Sequence, residues 1–433
     1  MRRILFYFIM CVASIVAMAQ PELARQQLAA NHNRSGSNHY AYPYPAQELP
    51  KLTPAPAGYQ PFFINHYGRH GSRWLTKQSS YDKPVSALEE LEREHLLTKQ
   101  GEVLLNILQK VAIEAKGRSG DLSDVGAEQH QGIAQRMCSN FPEVFDGDAT
   151  IDARSTVWIR CILSMANETQ VFKAYNPGIK IFTDASYHDM YYTGWGYGED
   201  TLANPQRKAI RHISDSIFDA RINGNRFMSQ IVKDTTALAG KFKSAQFMEA
   251  VFDVAGSLQN HHAFDGMNLF QYFTDEEIYE LWKVKNIYWY LQWANSPQGG
   301  NRMPFIERAL LTNMIETADD AIAQGKRGAT LRFGHETCVL PLACLLELDN
   351  VNYSCTDLNT LHEQWRNYEI FPMGCNIQMV FYRNASNDIL VKVLLNEHEA
   401  KLPFKTSTFP YYRWNDIKPY YQQKLKTTVT WPK

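Results

Sequence analysis

The sequence lacks the features that would place it at once in several large classes of proteins. Its net charge is only -1 over 433 residues, so it has no overall basic field for nucleic acid or for an anionic membrane surface. After residue 20, no segment approaches the roughly 20 apolar residues that a membrane-spanning helix needs. We therefore predict neither a nucleic-acid partner nor stable membrane insertion of the mature chain, and any anion site must be local.

Motifs that bind metals are also missing. No two cysteines stand in a CxxC pair, and no HExxH run occurs, which argues against a structural zinc site and against a zinc hydrolase of that type. Six cysteines remain outside the first 19 residues, and in an exported chain they permit up to three disulfides. Buried free thiols are the alternative. The six are Cys138, Cys161, Cys338, Cys344, Cys355 and Cys375.

The first 19 residues have the pattern of a signal peptide. Arg2 and Arg3 form the charged start, residues 4–16 are apolar, and Ala17-Met18-Ala19 is a small-residue cleavage site. The pattern predicts a secreted or periplasmic protein. An uncleaved anchor is the alternative, although the apolar stretch is short for a membrane span.

Strand and helix signals alternate at both ends of the chain and stop in the middle. A β-prone run at residues 62–64 leads into a loop with glycines, and alternation continues to about residue 184. Residues 185–300 are aromatic-rich and helical in pattern, without clear strands. We predict an α/β sheet domain from residues 57–184 and 301–425, a helical cap inserted at 185–300, and an extended N-terminal segment at 20–56.

The run Arg69-His70-Gly71-Ser72-Arg73 directly follows the first predicted strand, which is where open α/β sheets place their chemistry. Its two arginines flank an imidazole, and the planar fork of arginine suits two phosphate oxygens at once. A neutral imidazole nitrogen in such a pocket can attack phosphorus and form a phosphoenzyme. The run predicts a phosphoryl-transfer site, and a solvated loop is the alternative.

A second histidine follows another predicted strand, in Phe333-Gly334-His335-Glu336. His335 can donate to a phosphoryl oxygen, and Glu336 can protonate a leaving alkoxide, a step worth roughly 10²–10⁴-fold in rate. A carboxylate favoured at a helix start is the alternative for Glu336. Arg160, early in a helix after a third strand, can reach a phosphate over the sheet edge, and Arg154 in the same loop competes for this role.

Together these motifs resemble the histidine acid phosphatase family, the branch of the histidine phosphatases with phytases and multiple inositol polyphosphate phosphatases. The resemblance covers about residues 62–402. It implies a mixed central sheet flanked by helices with an inserted α-helical cap, phosphomonoester hydrolysis with His70 as nucleophile and Glu336 as proton donor, and no metal or other cofactor. The implied catalytic residues are His70, His335 and Glu336, and the implied phosphate-binding residues are Arg69, Arg73, Arg160 and His335.

The chain departs from the family pattern at the proton donor. Acid phosphatases and many phytases carry His-Asp there, and the inositol polyphosphate branch carries His-Ala-Glu, whereas this chain has His335-Glu336 without a spacer. The branch to which the chain is most similar therefore stays open. Trp74 likewise stands where relatives usually carry a smaller residue or a tyrosine.

The predicted cap contains one clue to the substrate. Between residues 204 and 244, eight basic residues stand against three acidic ones, which makes the segment locally +5. A basic wall over the pocket suits a small polyanion such as an inositol polyphosphate, and a solvated helix face is the alternative. The eight are Arg207, Lys208, Arg211, Arg221, Arg226, Lys233, Lys241 and Lys243.

Other functions compete with a phytase-like activity. One is a broad-specificity acid phosphatase, and another is a phosphate-ester-binding protein that has lost turnover. A metal hydrolase is the third function. The sequence indicates it only weakly, because a glycine of the predicted loop separates the first two candidate ligands. Its candidate ligands are His66, His70, His261, His262 and His335.

Overall fold

The computed structural model describes residues 20–43, 49–195, 205–238 and 242–429. The predicted signal peptide at residues 1–19 lies outside this part of the chain. Within it, no helix combines the length and the apolar character that crossing a membrane requires.

The strands form a mixed sheet in the order β3-β2-β4-β1-β5-β6-β7, and β8 pairs with β6. Strands β3, β2, β4 and β1 are parallel, whereas β5 to β8 are antiparallel to their neighbours. The predicted fold class, a mixed sheet flanked by helices, is confirmed. The strands are β1 (Gln60–Arg69), β2 (Thr150–Ser155), β3 (Lys180–Asp184), β4 (Gly328–Gly334), β5 (Asn376–Arg383), β6 (Ile389–Leu395), β7 (His398–Glu399) and β8 (Tyr411–Arg413).

Three of the helices begin where a side chain satisfies a free backbone amide group. The hydroxyl oxygens of Thr98 and Ser123 accept hydrogen bonds at 3.1 Å from the backbone amides three residues later. Thr274 forms a capping box with Glu277. The first helices are α1 (Gln20–Ala30), α2 (Ser79–Arg93), α3 (Lys99–Glu114), α4 (Asp124–Asn140), α5 (Pro142–Phe145), α6 (Ile159–Tyr175), α7 (Met190–Thr193) and α8 (Pro205–Arg221). The others are α9 (Asn225–Ile231), α10 (Ser244–Ser257), α11 (Asp275–Trp293), α12 (Arg308–Gln324), α13 (Glu336–Leu346), α14 (Leu361–Gln364), α15 (Asn367–Ile370) and α16 (Trp414–Leu425).

The sheet is buried on both faces. Helices α4, α5 and α6 pack on one face, and α12, α13 and α16 pack on the other. All seven residues of β4 are buried, as expected for a parallel strand covered on both sides. The register sets Arg69 opposite Gly334 and Ser155 opposite Phe333, so β1, β2 and β4 end at one edge.

A separate core joins two parts of the chain that lie far apart in sequence. Buried side chains of α2 and α3 pack with those of α9, α10 and the first half of α11. The helical layer therefore includes residues 79–114, which the sequence pattern assigned to the sheet domain. The boundaries drawn at residues 185 and 300 stay a prediction.

The first half of the predicted extended segment at residues 20–56 is helical. Helix α1 is followed by a 3-10 helix at His32–His39, and Ala24 and Leu28 are buried against Trp282. The expectation of an extended lead-in is wrong there because apolar side chains at helical spacing find a partner in α11. The expected disulfides are also not formed, since all six cysteines are buried free thiols.

Candidate active site

Backbone pairing at the sheet edge brings the two predicted histidines together. The amide of His70 donates to the carbonyl of Gly334 at 2.9 Å, which continues the β1–β4 ladder by one residue. As a result the His70 and His335 ring centroids are 5.6 Å apart. Residues separated by 265 positions thus face one another because two parallel strands end side by side.

The loop after His70 is held against the start of α4. A Cβ atom at Gly71 would lie 2.3 Å from the carbonyl oxygen of Gly126, so no other residue fits at that approach. The amide of Ser72 donates to Gln129 Oε1 at 2.8 Å, and its hydroxyl donates to Asn260 Oδ1 at 2.6 Å. These contacts fix the loop that carries His70 and Arg73.

His70 has the protonation state that a nucleophile needs. Its Nδ1 lies 2.9 Å from the carbonyl oxygen of Gly71, and a carbonyl can only accept, so Nδ1 carries the proton and Nε2 keeps its lone pair. Burial and the charges of Arg160 and Arg69 hold the pKa of this imidazole well below its usual range. His70 is therefore neutral, with Nε2 free to attack.

Three guanidinium groups surround the imidazoles. Arg69 is fully buried and donates to the carbonyls of Phe371 at 3.0 Å and Asn38 at 2.8 Å. The buried Nε atoms of Arg73 and Arg160 have no hydrogen-bond partner among the described residues. Burial lowers the pKa of Arg73 to about 10, so it stays charged at neutral pH. We call His70, His335, Arg69, Arg73 and Arg160 the phosphate pocket.

The structure places Arg160 and Arg154, the two candidates for one phosphate contact, in different surroundings. Arg160 is the second residue of α6, and its charge lowers the pKa values of both His70 and His335. Arg154 instead forms ion pairs with Asp152 at 2.9 Å and Asp184 at 3.2 Å, at the edge of the sheet. Of the two arginines, Arg160 is therefore the one that lies close to both histidines.

Glu336 is the anionic member of the site. Its Oε2 lies 3.0 Å from Arg69 Nε and 4.0 Å from His70 Nε2. Burial opposes its ionisation, but the charges of Arg69 and Arg73 outweigh burial and lower the pKa of this carboxyl to about 2. With one carboxylate against three guanidinium groups, the buried site keeps an excess of positive charge that a bound anion would offset.

A metal ion fits this arrangement poorly. His70, His335 and Glu336 have ligand atoms within 4.8 Å of one another, but the three arginines beside them repel a cation and attract a phosphate. The other histidines of the metal alternative lie elsewhere. His66 packs on Phe333, His261 stacks on Trp74, and His262 pairs with Glu128.

One contact in the site could not be anticipated from sequence. Asn38 comes from the 3-10 helix near the N-terminus, and its Nδ2 donates to Glu336 Oε1 at 3.4 Å. Its carbonyl accepts from Arg69 at 2.8 Å. No motif marks this asparagine, because the contact spans 298 residues.

Three residues of the predicted basic wall have partners within the described part of the chain. Arg221 pairs with Glu280 at 3.0 Å, Arg226 pairs with Glu277, and Lys233 donates to the carbonyl of His95. Lys208, Arg211 and Lys243 are exposed, while the side chain of Arg207 and the whole of Lys241 lie outside the described part. A basic wall over the pocket therefore stays a prediction.

Comparison with known proteins supports the fold. No family model and no curated protein matches the chain. The multiple inositol polyphosphate phosphatase of Bifidobacterium longum in complex with phosphate is 18% identical, with a TM-score of 0.69 over 90% of this chain and 98% of that one. Its complex with inositol hexasulfate gives a TM-score of 0.66 at 18% identity, over 91% of this chain and 99% of that one. The phytase from D. castellii is 16% identical, with a TM-score of 0.65 over 92% and 86% of the two chains. The predicted resemblance to histidine acid phosphatases is confirmed at the level of the fold.

Proposed function

We propose that this chain is a phosphomonoester hydrolase that works through a phosphohistidine formed on His70. The observation that carries the proposal is a buried neutral imidazole with a free Nε2 atom close to three guanidinium groups whose charges act on it. Such a pocket attracts a phosphate and presents a nucleophile to phosphorus at the same point. The enzymes with the same fold bind phosphate and inositol hexasulfate in their crystal structures, which supports this choice.

The reaction follows from the positions of His70 and Glu336. His70 Nε2 attacks phosphorus, the bond from phosphorus to the alcohol oxygen breaks, and that oxygen takes a proton from the Glu336 carboxyl group. Water then attacks the phosphohistidine while the Glu336 carboxylate accepts its proton. The phosphorus–nitrogen bond breaks, and phosphate leaves with His70 neutral again.

Glu336 must gain its proton before the first step. The charges of Arg69 and Arg73 hold its pKa at about 2 in the empty pocket. A dianionic phosphate beside these arginines offsets their charge, so we expect the pKa of Glu336 to rise as substrate binds. Binding of the ester thus prepares the proton donor.

Inositol polyphosphates are the first substrate class to test, because structural neighbours include a phytase and an inositol polyphosphate phosphatase. Other phosphomonoesters are the alternative. We also keep the proposals of a secreted or periplasmic location, from the signal pattern that begins at Arg2 and Arg3, and of catalysis without a metal.

The test is phosphate release from inositol hexakisphosphate, sugar phosphates, phosphoamino acids and an aryl phosphate. We expect wild-type protein to release phosphate and to form an acid-labile phosphate adduct on His70. The His70→Ala variant should lose roughly 10³-fold or more of the activity. His262→Ala, at an exposed histidine, is the matched control. Saturable binding without release would identify a binding protein, and appreciable activity of His70→Ala would exclude His70 as the nucleophile.

A further inference from the structure

A buried chain of polar side chains lies behind the loop that carries His70. Gln129 in α4 and Asn260 hold Ser72 from two sides, and all three residues are buried. Gln129 Oε1 accepts from the Ser72 amide at 2.8 Å, and Gln129 Nε2 donates to the Ser72 hydroxyl at 2.9 Å. Ser72 Oγ in turn donates to Asn260 Oδ1 at 2.6 Å. Every polar side-chain atom of this chain therefore has a partner.

The direction of each hydrogen bond is fixed from one end of the chain. Asn260 Nδ2 lies 2.9 Å from the carbonyl oxygen of His39 and 3.1 Å from that of Ser257. Carbonyls can only accept, so the amide nitrogen of Asn260 faces them and Oδ1 must accept from Ser72. The Ser72 hydroxyl has one proton to give, so it accepts from Gln129 Nε2. Gln129 Oε1 is thereby turned towards the Ser72 amide.

The peptide between Gly71 and Ser72 carries this direction to the nucleophile. It is trans and planar, so its N–H and its carbonyl point to opposite sides. Gln129 holds the N–H on one side, and on the other side the Gly71 carbonyl oxygen lies 2.9 Å from His70 Nδ1. That carbonyl keeps the ring proton on Nδ1 and leaves the lone pair on Nε2.

We propose that Gln129 and Asn260 are positioning residues that select the tautomer of His70. The inference rests on the proposed function, in which His70 Nε2 attacks phosphorus. The Glu336 carboxylate lies 4.0 Å from Nε2 and can accept a proton there, so it favours the opposite tautomer. Without an acceptor at Gln129 the peptide is free to turn, and the ring proton can move to Nε2. That tautomer has no lone pair on Nε2 and cannot attack phosphorus.

The experiment measures the tautomer and the kinetics in the same variants. Nitrogen NMR of protein with isotope-labelled histidine rings distinguishes protonated from unprotonated ring nitrogens, and His70→Ala identifies the signals. Gln129→Met keeps the length of the side chain but removes the acceptor. We expect part of His70 to carry its proton on Nε2 in this variant, and kcat on an aryl ester to fall by roughly 10²-fold. KM and inhibition by inorganic phosphate should change by less than about threefold, because the three arginines of the phosphate pocket are unchanged.

Two further variants separate the acceptor from the packing. Gln129→Glu keeps an oxygen that can accept from the Ser72 amide, so it should keep the proton of His70 on Nδ1. Gln131→Met is the matched control on the same helix. Gln131 donates to Asn167 at 2.8 Å, so this variant also loses a side-chain hydrogen bond but should keep the wild-type tautomer and kcat.

If Gln129→Met does not fold, Asn260→Leu takes its place, because it removes the acceptor of the Ser72 hydroxyl and should shift the tautomer in the same direction. A folded variant at either position with the wild-type tautomer overturns this inference, whatever its kcat. A shift of equal size in Gln131→Met also overturns it. The tautomer is measured without substrate, so absence of phosphate release by wild-type protein overturns the proposed function and leaves the control of the tautomer by Gln129 standing.

Discussion

The phosphate pocket and a neighbouring cavity of about 590 Å³, which Asn38 and His39 border, carry opposite charge. We call this space the acidic cavity. The pocket gathers Arg69, Arg73 and Arg160 against a single carboxylate, whereas the cavity gathers four carboxyl groups against one lysine. The pocket is built at the ends of β1 and β4 and at the start of α6, and the cavity is built mainly by α8, α10 and α11. The two regions are thus built by separate elements of the fold.

Asn38 and His39 are where the two regions meet. This short segment contacts Arg69 and Glu336 on one side and borders the acidic cavity on the other. Changes in the pocket should affect every ester, and changes at Asn38 should affect protonation of the leaving group.

The largest expected effect after loss of His70 itself is in the pocket, at Arg160. Arg160→Ala should lower kcat/KM for every ester by roughly 10²–10³-fold, because the guanidinium strengthens its contacts as charge develops on the phosphoryl oxygens. Arg160→Lys should not restore the rate, since an ammonium cannot reproduce the planar fork. Steady-state kinetics on an aryl ester and an alkyl ester measure the effect.

Arg154→Ala is the matched control for this variant. Arg154 pairs with Asp152 and Asp184 at the sheet edge, so its removal should leave kcat/KM close to that of wild-type protein. If Arg154→Ala loses activity and Arg160→Ala does not, Arg154 binds the phosphate and the assignment of Arg160 to the phosphate pocket is wrong.

The second-largest effect is expected at Glu336. It distinguishes a proton donor from a residue that only holds the arginines in position. Glu336→Gln keeps the shape of the side chain but cannot donate an acidic proton, so alkyl esters should slow by roughly 10²-fold. An aryl ester should slow far less, because its phenolate leaves without a proton. Equal losses for both esters would mean that Glu336 only positions Arg69.

The smallest effect is expected at the segment between the two regions. Asn38→Asp places a second carboxylate beside Glu336, which should raise the pKa of Glu336 above its present value of about 2. Because the donor then stays protonated to higher pH, the alkaline limb of the kcat profile for an alkyl ester should move up by about one pH unit.

Asn33→Asp, at an exposed position of the same 3-10 helix, serves as the control for added charge. A pH profile of Asn38→Asp that coincides with that of Asn33→Asp would show that Asn38 does not influence the proton donor.

Local patterns predicted much of the framework. The strands before His70 and His335 and the strand before the helix of Arg160 all appear where the sequence pattern indicated them. The wrong expectations concern long-range partners. Helix α1 was missed because its apolar residues are stabilised by Trp282, more than 200 positions away.

By itself the sequence determined which candidate groups stand at the strand ends, because His70 and His335 each lie beside a glycine there, with Arg69 and Glu336 next to them. Only the tertiary structure placed Arg160 rather than Arg154 near the two histidines, brought Asn38 to Glu336, and set carboxylates rather than lysines and arginines around the neighbouring cavity. The physical reason is that residue type and local spacing specify which groups a strand end presents. The charge of the groups that face them depends on how helices that are distant in sequence pack. Local residue spacing does not specify that packing.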